Sequence, residues 1–220
     1  MSELIFTGAM IGDEHTLHDW GAIITNSDVV SMPEPNTVLL EIPGRNGRLD
    51  LSEVLTGDIS YGNREIKLKL AASTNREKWQ ETCLHIFNKY HGRAVSIIFD
   101  EDPGHYYTGR ASVSDPQRLA SAGQLTITVD AEPYRYETEE YEITLSSSAT
   151  AVSGNVENGR MPVSPTVTVP SACQLFHDGK IYELKKGTQD VPGLVLHPFD
   201  NEVSVTGAKS ITFKFRRGYL

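Results

Sequence analysis

The stretch REIKLKL, residues 64–70, decides the class of this fold. Ile66, Leu68 and Leu70 fall on one side of an extended chain, with Glu65, Lys67 and Lys69 on the other. Successive side chains of a strand point to opposite faces, so this period of two predicts a half-buried strand. The same alternation returns in GQLTITVDAEP (123–133), with Leu125, Ile127 and Val129 inward. It returns again in SITFKFRRG (210–218), with Ile211, Phe213 and Phe215. AVSIIFD (94–100) is more continuously apolar, the pattern of a strand covered on both faces.

One segment between these strands changes period. In STNREKWQETCLHIFNKYHGR (73–93), Trp79, Cys83, Ile86, Phe87 and Tyr90 fall at helical spacing on one face. Thr74 and Glu77 form an S/T-x-x-E capping box ahead of them, and Gly92 ends the helix. Such an aromatic stripe is core and calls for no cofactor. After Leu145 the composition turns to SSSATAVSGNVENGRMPVSP (146–165), which is loop chemistry. Short strands follow: PTVTV (165–169), a hairpin CQLFHDGKIYEL (173–184) around Asp178-Gly179, LVLHP (194–198), EVSV (202–205) and the closing strand. The expected organisation is an N-terminal domain, 1–137, of α+β character, and a C-terminal all-β sandwich, 138–220.

Composition narrows the function classes. A net charge of −9 over 220 residues, with 39% hydrophobic and 22% charged residues, describes a globular chain. That charge argues against nucleic-acid binding through phosphate neutralisation. No apolar run reaches the ~18 residues of a membrane span, so no membrane insertion is expected. The opening MSELIFTGAMIGDEH lacks the basic and long apolar regions of a secretory signal. Cys83 and Cys173 read as single buried thiols in a reducing cytoplasm.

The candidate sites reduce to one. In EIPGRNGRLDLSE (41–53), two arginines and two glycines share residues 44–48. A phosphate-binding loop would need a lysine after its second glycine and a following helix, and neither is present. Asn46-Gly47 is a tight-turn dipeptide, so the stretch is a hairpin tip. Its arginines are then either solvated or pair bidentately with carboxylates of a neighbouring protein. Arg45, Asn46, Gly47, Arg48, Asp50 and Glu53 are the candidate contact residues. In FDEDPGHYYTGR (99–110), three adjacent acids before Pro103-Gly104 fit a solvated turn, with one of Tyr106 and Tyr107 packed inward. They fit neither a glycosidase carboxylate pair nor a calcium loop. The seven histidines are scattered, with only His15 and His18 close, and no nucleophile elbow occurs. No catalytic, metal or cofactor residue is expected, and the chain is read as a non-enzyme.

Six phrases in order carry a resemblance: DWGAII, EIPGRNGRLDLSEVLTG, YGNREI, NKYHGR, FDEDPGHYYTGR and TVDAEPYRYE, from residue 19 to 137. Together they resemble the N-terminal half of the distal tail (Dit) proteins of siphophages that infect Gram-positive bacteria. NGRMPVSPTVTV and ITFKFRRGYL resemble the rest of that family more loosely. The resemblance implies a virion protein of the distal tail tip, assembled in the host bacterial cytoplasm as a homohexameric ring. The implied fold is mainly β: an N-terminal β-sandwich with one helix and a protruding hairpin, then a small galectin-like C-terminal β-sandwich. The implied partners are the tail tube protein, the tail-associated hub protein and, in some relatives, a receptor-binding protein. A different class competes with this reading: a carbohydrate-binding adhesion module for host cell-wall glycan. Phe176, Tyr182, Phe199, Phe213, Phe215 and Tyr219 are the aromatics available to it, and strand alternation sends most of them to the core.

Overall fold

The computed structural model describes residues 8–54, 57–73, 75–114, 116–118 and 123–220. The chain divides into two compact units, Met1–Arg135 with Leu220, and Tyr136–Tyr219. It is mainly β with one helix, as the alternation predicts.

The first unit runs β1 (Ala9–Ile11), β2 (Glu14–His15), β3 (Ile23–Ile24), β4 (Leu39–Glu41), β5 (Arg48–Asp50), β6 (Arg64–Ala72), α1 (Arg76–Tyr90), β7 (Ala94–Phe99), β8 (His105–Val113), β9 (Gln117–Arg118) and β10 (Gly123–Ala131). An antiparallel sheet follows the order β2-β1-β7-β8-β10-β6-β3, while β4 and β5 form a separate two-stranded sheet. The opening stretch behaves as read: Ile66, Leu68 and Leu70 are buried and Glu65, Lys67 and Lys69 exposed. β10 pairs with β6 along nine residues, with Ile127 opposite Leu68. In β7, Val95, Ile97 and Phe99 are buried while Ser96 and Ile98 stay half-exposed. The expected two-sided cover is thus one-sided: the core lies against one face only.

Helix α1 lays Trp79, Cys83, Ile86 and Tyr90 into that core. Phe87, expected on the same face, is 41% exposed and stacks on His91 with ring centroids 4.5 Å apart. The buried residues follow an i, i+4, i+7, i+11 stripe, and Phe87 sits one residue, or about 100°, beyond Ile86. Thr74 of the expected capping box lies outside the described residues. The N-cap is Asn75, whose side chain accepts from the Lys78 backbone N–H at 2.9 Å, so the cap falls one residue later than read. Gly123 opens β10 beneath the helix, and a methyl group there would overlap the Trp79 indole.

The second unit continues from β11 (Arg135–Glu137) through β12 (Tyr141–Ser146), β13 (Ala151–Glu157), β14 (Thr166–Val169), β15 (Cys173–His177), β16 (Lys180–Leu184), β17 (Gly187–Asp190), β18 (Asp200–Thr206), β19 (Ser210–Phe215) and β20 (Gly218–Tyr219). Two four-stranded sheets, β12-β19-β14-β17 and β13-β18-β15-β16, enclose Val152, Leu175, Val205, Val167, Ile211 and Phe213. Asp178 and Gly179 turn β15 into β16 with φ of 48° and 71°, the two left-handed residues of a type I′ hairpin. LVLHP is not the strand it was read as. Leu196 forms a single bridge to Val163, and Leu194 and Leu196 fill the core as a buried loop. That loop is tied by buried amides: Asn158 donates to Met161 and Leu196 carbonyls, and Asn201 accepts from the His197 N–H at 2.7 Å.

Candidate assembly surface

The hairpin of β4 and β5 carries all six candidate contact residues or places them on its flank. Leu39 faces Asp50, Leu40 faces Leu49 and Glu41 faces Arg48 across the two strands. Leu51 extends the ladder by donating to the Val38 carbonyl at 2.9 Å. Residues 42–47 form the tip, where Gly44 and Gly47 take φ of 83° and 78°, a region that other residues enter only with strain. The Arg45 N–H donates to the Ile42 carbonyl at 3.1 Å and tightens the bend.

Arg48 is committed within the hairpin, its Nε 3.2 Å from Glu41 Oε1, with both side chains exposed. Asp50 Oδ1 accepts from the Ser52 N–H at 2.9 Å and from its hydroxyl at 2.5 Å. The Ser52 hydroxyl first, then its backbone N–H, hold the Asp50 carboxyl below the usual range. Arg45, Asn46 and Glu53 have no side-chain hydrogen bond or ion pair among the described residues, so they remain available.

Sequence reasoning missed the apolar part of this surface. Val38, Leu39, Leu40, Ile42 and Val54 are all exposed, Leu40 at 49% and Val54 at 69%. A lone two-stranded hairpin buries too little to be stable by itself, and among the described residues no further strand pairs with either edge of this one. The run VLLEI, with no alternation and a proline after it, was the available signal.

Comparison with known proteins now adds to the geometry. A family model described as a phage tail protein RIFT-related domain matches residues 22–131. The chain belongs to this phage tail protein family. Among solved structures it is similar to the Dit protein of SPP1, described as a paradigm of the hub adsorption apparatus of phages that infect Gram-positive bacteria. That likeness has a TM-score of 0.69 at 15% identity, and covers 95% of this chain and 98% of the other. No curated protein matches in sequence. The resemblance to siphophage distal tail proteins is borne out.

The other charged clusters of this tail protein are internal joints. Glu14 accepts from Trp20 Nε1 at 2.8 Å, His85 Nε2 at 2.8 Å and Lys89 Nζ at 2.8 Å. Burial pushes its carboxyl up, but the bonds from Lys89, Trp20 and His85 outweigh that and hold it at about 2. The acids at 100–102 sit in a turn as expected, Asp100 and Glu101 exposed and Asp102 half-buried. Asp100 pairs with His15 at 2.9 Å, and Asp102 pairs with His105 at 2.7 Å and Arg135 at 3.2 Å. Tyr107 is buried and Tyr106 half-buried. Arg110 donates to the Gly92 carbonyl at 2.6 Å and braces the end of α1. The rings of His15 and His18 lie tilted with centroids 4.4 Å apart, and no group of three metal-ligating side chains occurs among the described residues. Cys83 is buried, which pushes its thiol up to about 11 and leaves it inert. Among the described residues no helix is long and apolar enough to cross a membrane.

In the second unit Phe213 and Phe215 are buried as alternation requires. Phe176 and Phe199 are not: they are 50% and 63% exposed. Phe176 sits on the outer face of β15 opposite Ile181, and Phe199 takes φ of 68° in the turn before β18.

Proposed function

We propose that this chain is a structural component of the siphophage tail tip, assembling as a homohexameric ring through the β4–β5 hairpin. The ring joins the tail tube protein on one face and the tail-associated hub protein on the other, and its role is assembly and mechanical coupling without catalysis. The observation that carries this reading is an apolar hairpin that pairs with no further strand among the described residues, tipped by an arginine with no partner among them. Exposed apolar area rimmed by arginine is the composition of a protein interface. A ring needs a head-to-tail contact that closes by rotation, and a projecting hairpin suits one. Arg45 is the residue expected to meet a neighbour's carboxylate, with Arg48 available only if it leaves Glu41. The domain division at 137/138, with a ring-forming N-terminal domain, belongs to the same proposal, as does a galectin-like role for the second sandwich in carrying a receptor-binding protein.

Immunogold labelling of virions with antibody to the chain tests this reading. Label confined to the distal tip supports it, and label along the tail or absent from the particle overturns it.

A second reading, recognition of cell-wall glycan, is favoured by the exposed rings of Phe176 and Phe199 in the second unit. Sugar faces stack on such rings, but a fold does not supply a sugar site. Binding to purified host cell wall that disappears in Phe176→Ala or Phe199→Ala would support it. Unaltered binding in both would remove it.

A further inference from the structure

We propose that the apolar face of the β4–β5 hairpin of one copy seats in a groove beside α1 of the next copy, with Arg45 meeting Glu77 and Glu81. This deepens the ring reading, on which it rests, by naming the surface that receives the hairpin.

The hairpin has two unlike faces. Side chains alternate along each strand, so Val38, Leu40 and Ile42 share one side, with Leu49 opposite Leu40 and Leu51 opposite Val38. Leu39 with Asp50, and the Glu41–Arg48 pair, take the other side. Val38, Leu40 and Ile42 are exposed and Leu49 and Leu51 half-buried, so the apolar side is left without cover.

Helix α1 carries a matching surplus. Its core stripe is Trp79, Cys83, Ile86 and Tyr90. A second stripe, Gln80, Leu84 and Phe87, runs about 100° further round, with Leu84 63% exposed. That stripe lines a groove of about 550 Å³, with Val113 and Leu125 of the sheet among the other lining residues. Glu77 lies three residues before Gln80, and Glu81 three before Leu84, so both carboxylates border the stripe. Both residues are exposed, and neither side chain has a hydrogen bond or ion pair among the described residues.

The two surfaces are complementary in chemistry. Apolar side chains two residues apart on the hairpin can lie along an apolar helix stripe, and the guanidinium at the tip then meets two carboxylates at the rim. Hairpin and groove are different surfaces of one chain, so the contact is head-to-tail. Each copy gives one hairpin and receives one, as closure into a ring requires. Hairpins stacked face to face would instead stop at two copies and leave Leu84 and Phe87 in water.

Two disabled chains test the seating by complementation. One loses the hairpin face, Val38→Ser/Leu40→Ser, and the other the groove stripe, Leu84→Gln/Phe87→Gln; all of these residues are exposed. Light scattering is run at concentrations where the wild type assembles. Each variant alone should be a monomer, and an equimolar mixture should form one hairpin-in-groove pair of about twice 24.3 kDa. A groove variant that keeps the wild-type mass, or a mixture that stays monomeric, overturns the proposal and leaves the ring reading standing. A wild type that is monomeric at every concentration overturns both. A charge swap tests the seating without touching the apolar residues. Arg45→Glu should weaken assembly about tenfold, and Glu77→Arg/Glu81→Arg added to the same chain should restore it. No loss with Arg45→Glu, or a loss that the swap leaves in place, overturns the seating as well.

Discussion

Two hairpins in this chain are built by the same rule and sit in opposite energetic positions. The β15–β16 hairpin has a two-residue turn, pairs onward to β18, and buries Leu175 completely. The β4–β5 hairpin has a six-residue tip, pairs with no other strand among those described, and leaves Leu39 and Leu40 about half exposed. The first is held by its own sandwich. The second keeps apolar side chains in water, which selection tolerates where a partner covers them.

Substitutions separate the two cases, and the largest effect is expected in the buried hairpin. Leu175→Ala should lower stability by about 2–5 kcal/mol in denaturant unfolding, through lost burial and a residual cavity. Leu40→Ala should change the stability of the dilute chain by no more than about 0.5 kcal/mol, because no core is disturbed. Comparable losses for the two would erase the distinction drawn here.

Next in size comes the joint that orders the first unit. Glu14→Gln should cost about 2 kcal/mol, since Lys89, His85 and Trp20 lose a charged acceptor. The folded carboxyl titrates at about 2 against an ordinary 4.5, so its contribution is complete above about 4.5 and lost as pH falls towards 2. Melting temperature against pH should therefore drop across that window in the wild type and drop less in the variant. Parallel curves would show that Glu14 is not the responsible group.

Smaller effects test the ends of elements. Asn75→Ala should cost about 1 kcal/mol as the N-cap of α1, while Thr74→Ala should cost less, the reverse of the order the capping-box reading gives. Smallest of all, Arg48→Ala should shift the stability of the dilute chain by less than about 0.5 kcal/mol, because its pair with Glu41 is exposed.

The legibility of the fold followed the same divide. Strands that bury one face announced themselves, as in 64–70 and 210–218, because burial forces the period of two. The glycines marked the hairpin tip, but not its form. Gly44 and Gly47 take left-handed backbone and Asn46 does not, so the bend is a six-residue tip and not a tight Asn46-Gly47 turn. What composition and period could not disclose was whether an apolar run is covered: VLL at 38–40 reads equally as an inner strand. The side-chain joints were equally hidden. Glu14 meets His85 and Lys89 across more than seventy residues, and Arg64 shares a cavity with Arg135 from the other end of the unit. No local pattern records such a meeting. LVLHP misled for a related reason: buried loop and buried strand share a composition, and here the Asn158 and Asn201 amides satisfy the backbone in place of a ladder.

The central claim, that the β4–β5 hairpin is an assembly surface, is tested most directly by mass. Light scattering after size exclusion should be run across a concentration series on the wild-type chain and on Leu39→Ser/Leu40→Ser. The account predicts a species near six times 24.3 kDa for the wild type. The variant should remain monomeric with an unchanged melting temperature. A variant that keeps the wild-type mass, or a wild type that stays monomeric at every concentration, would contradict it.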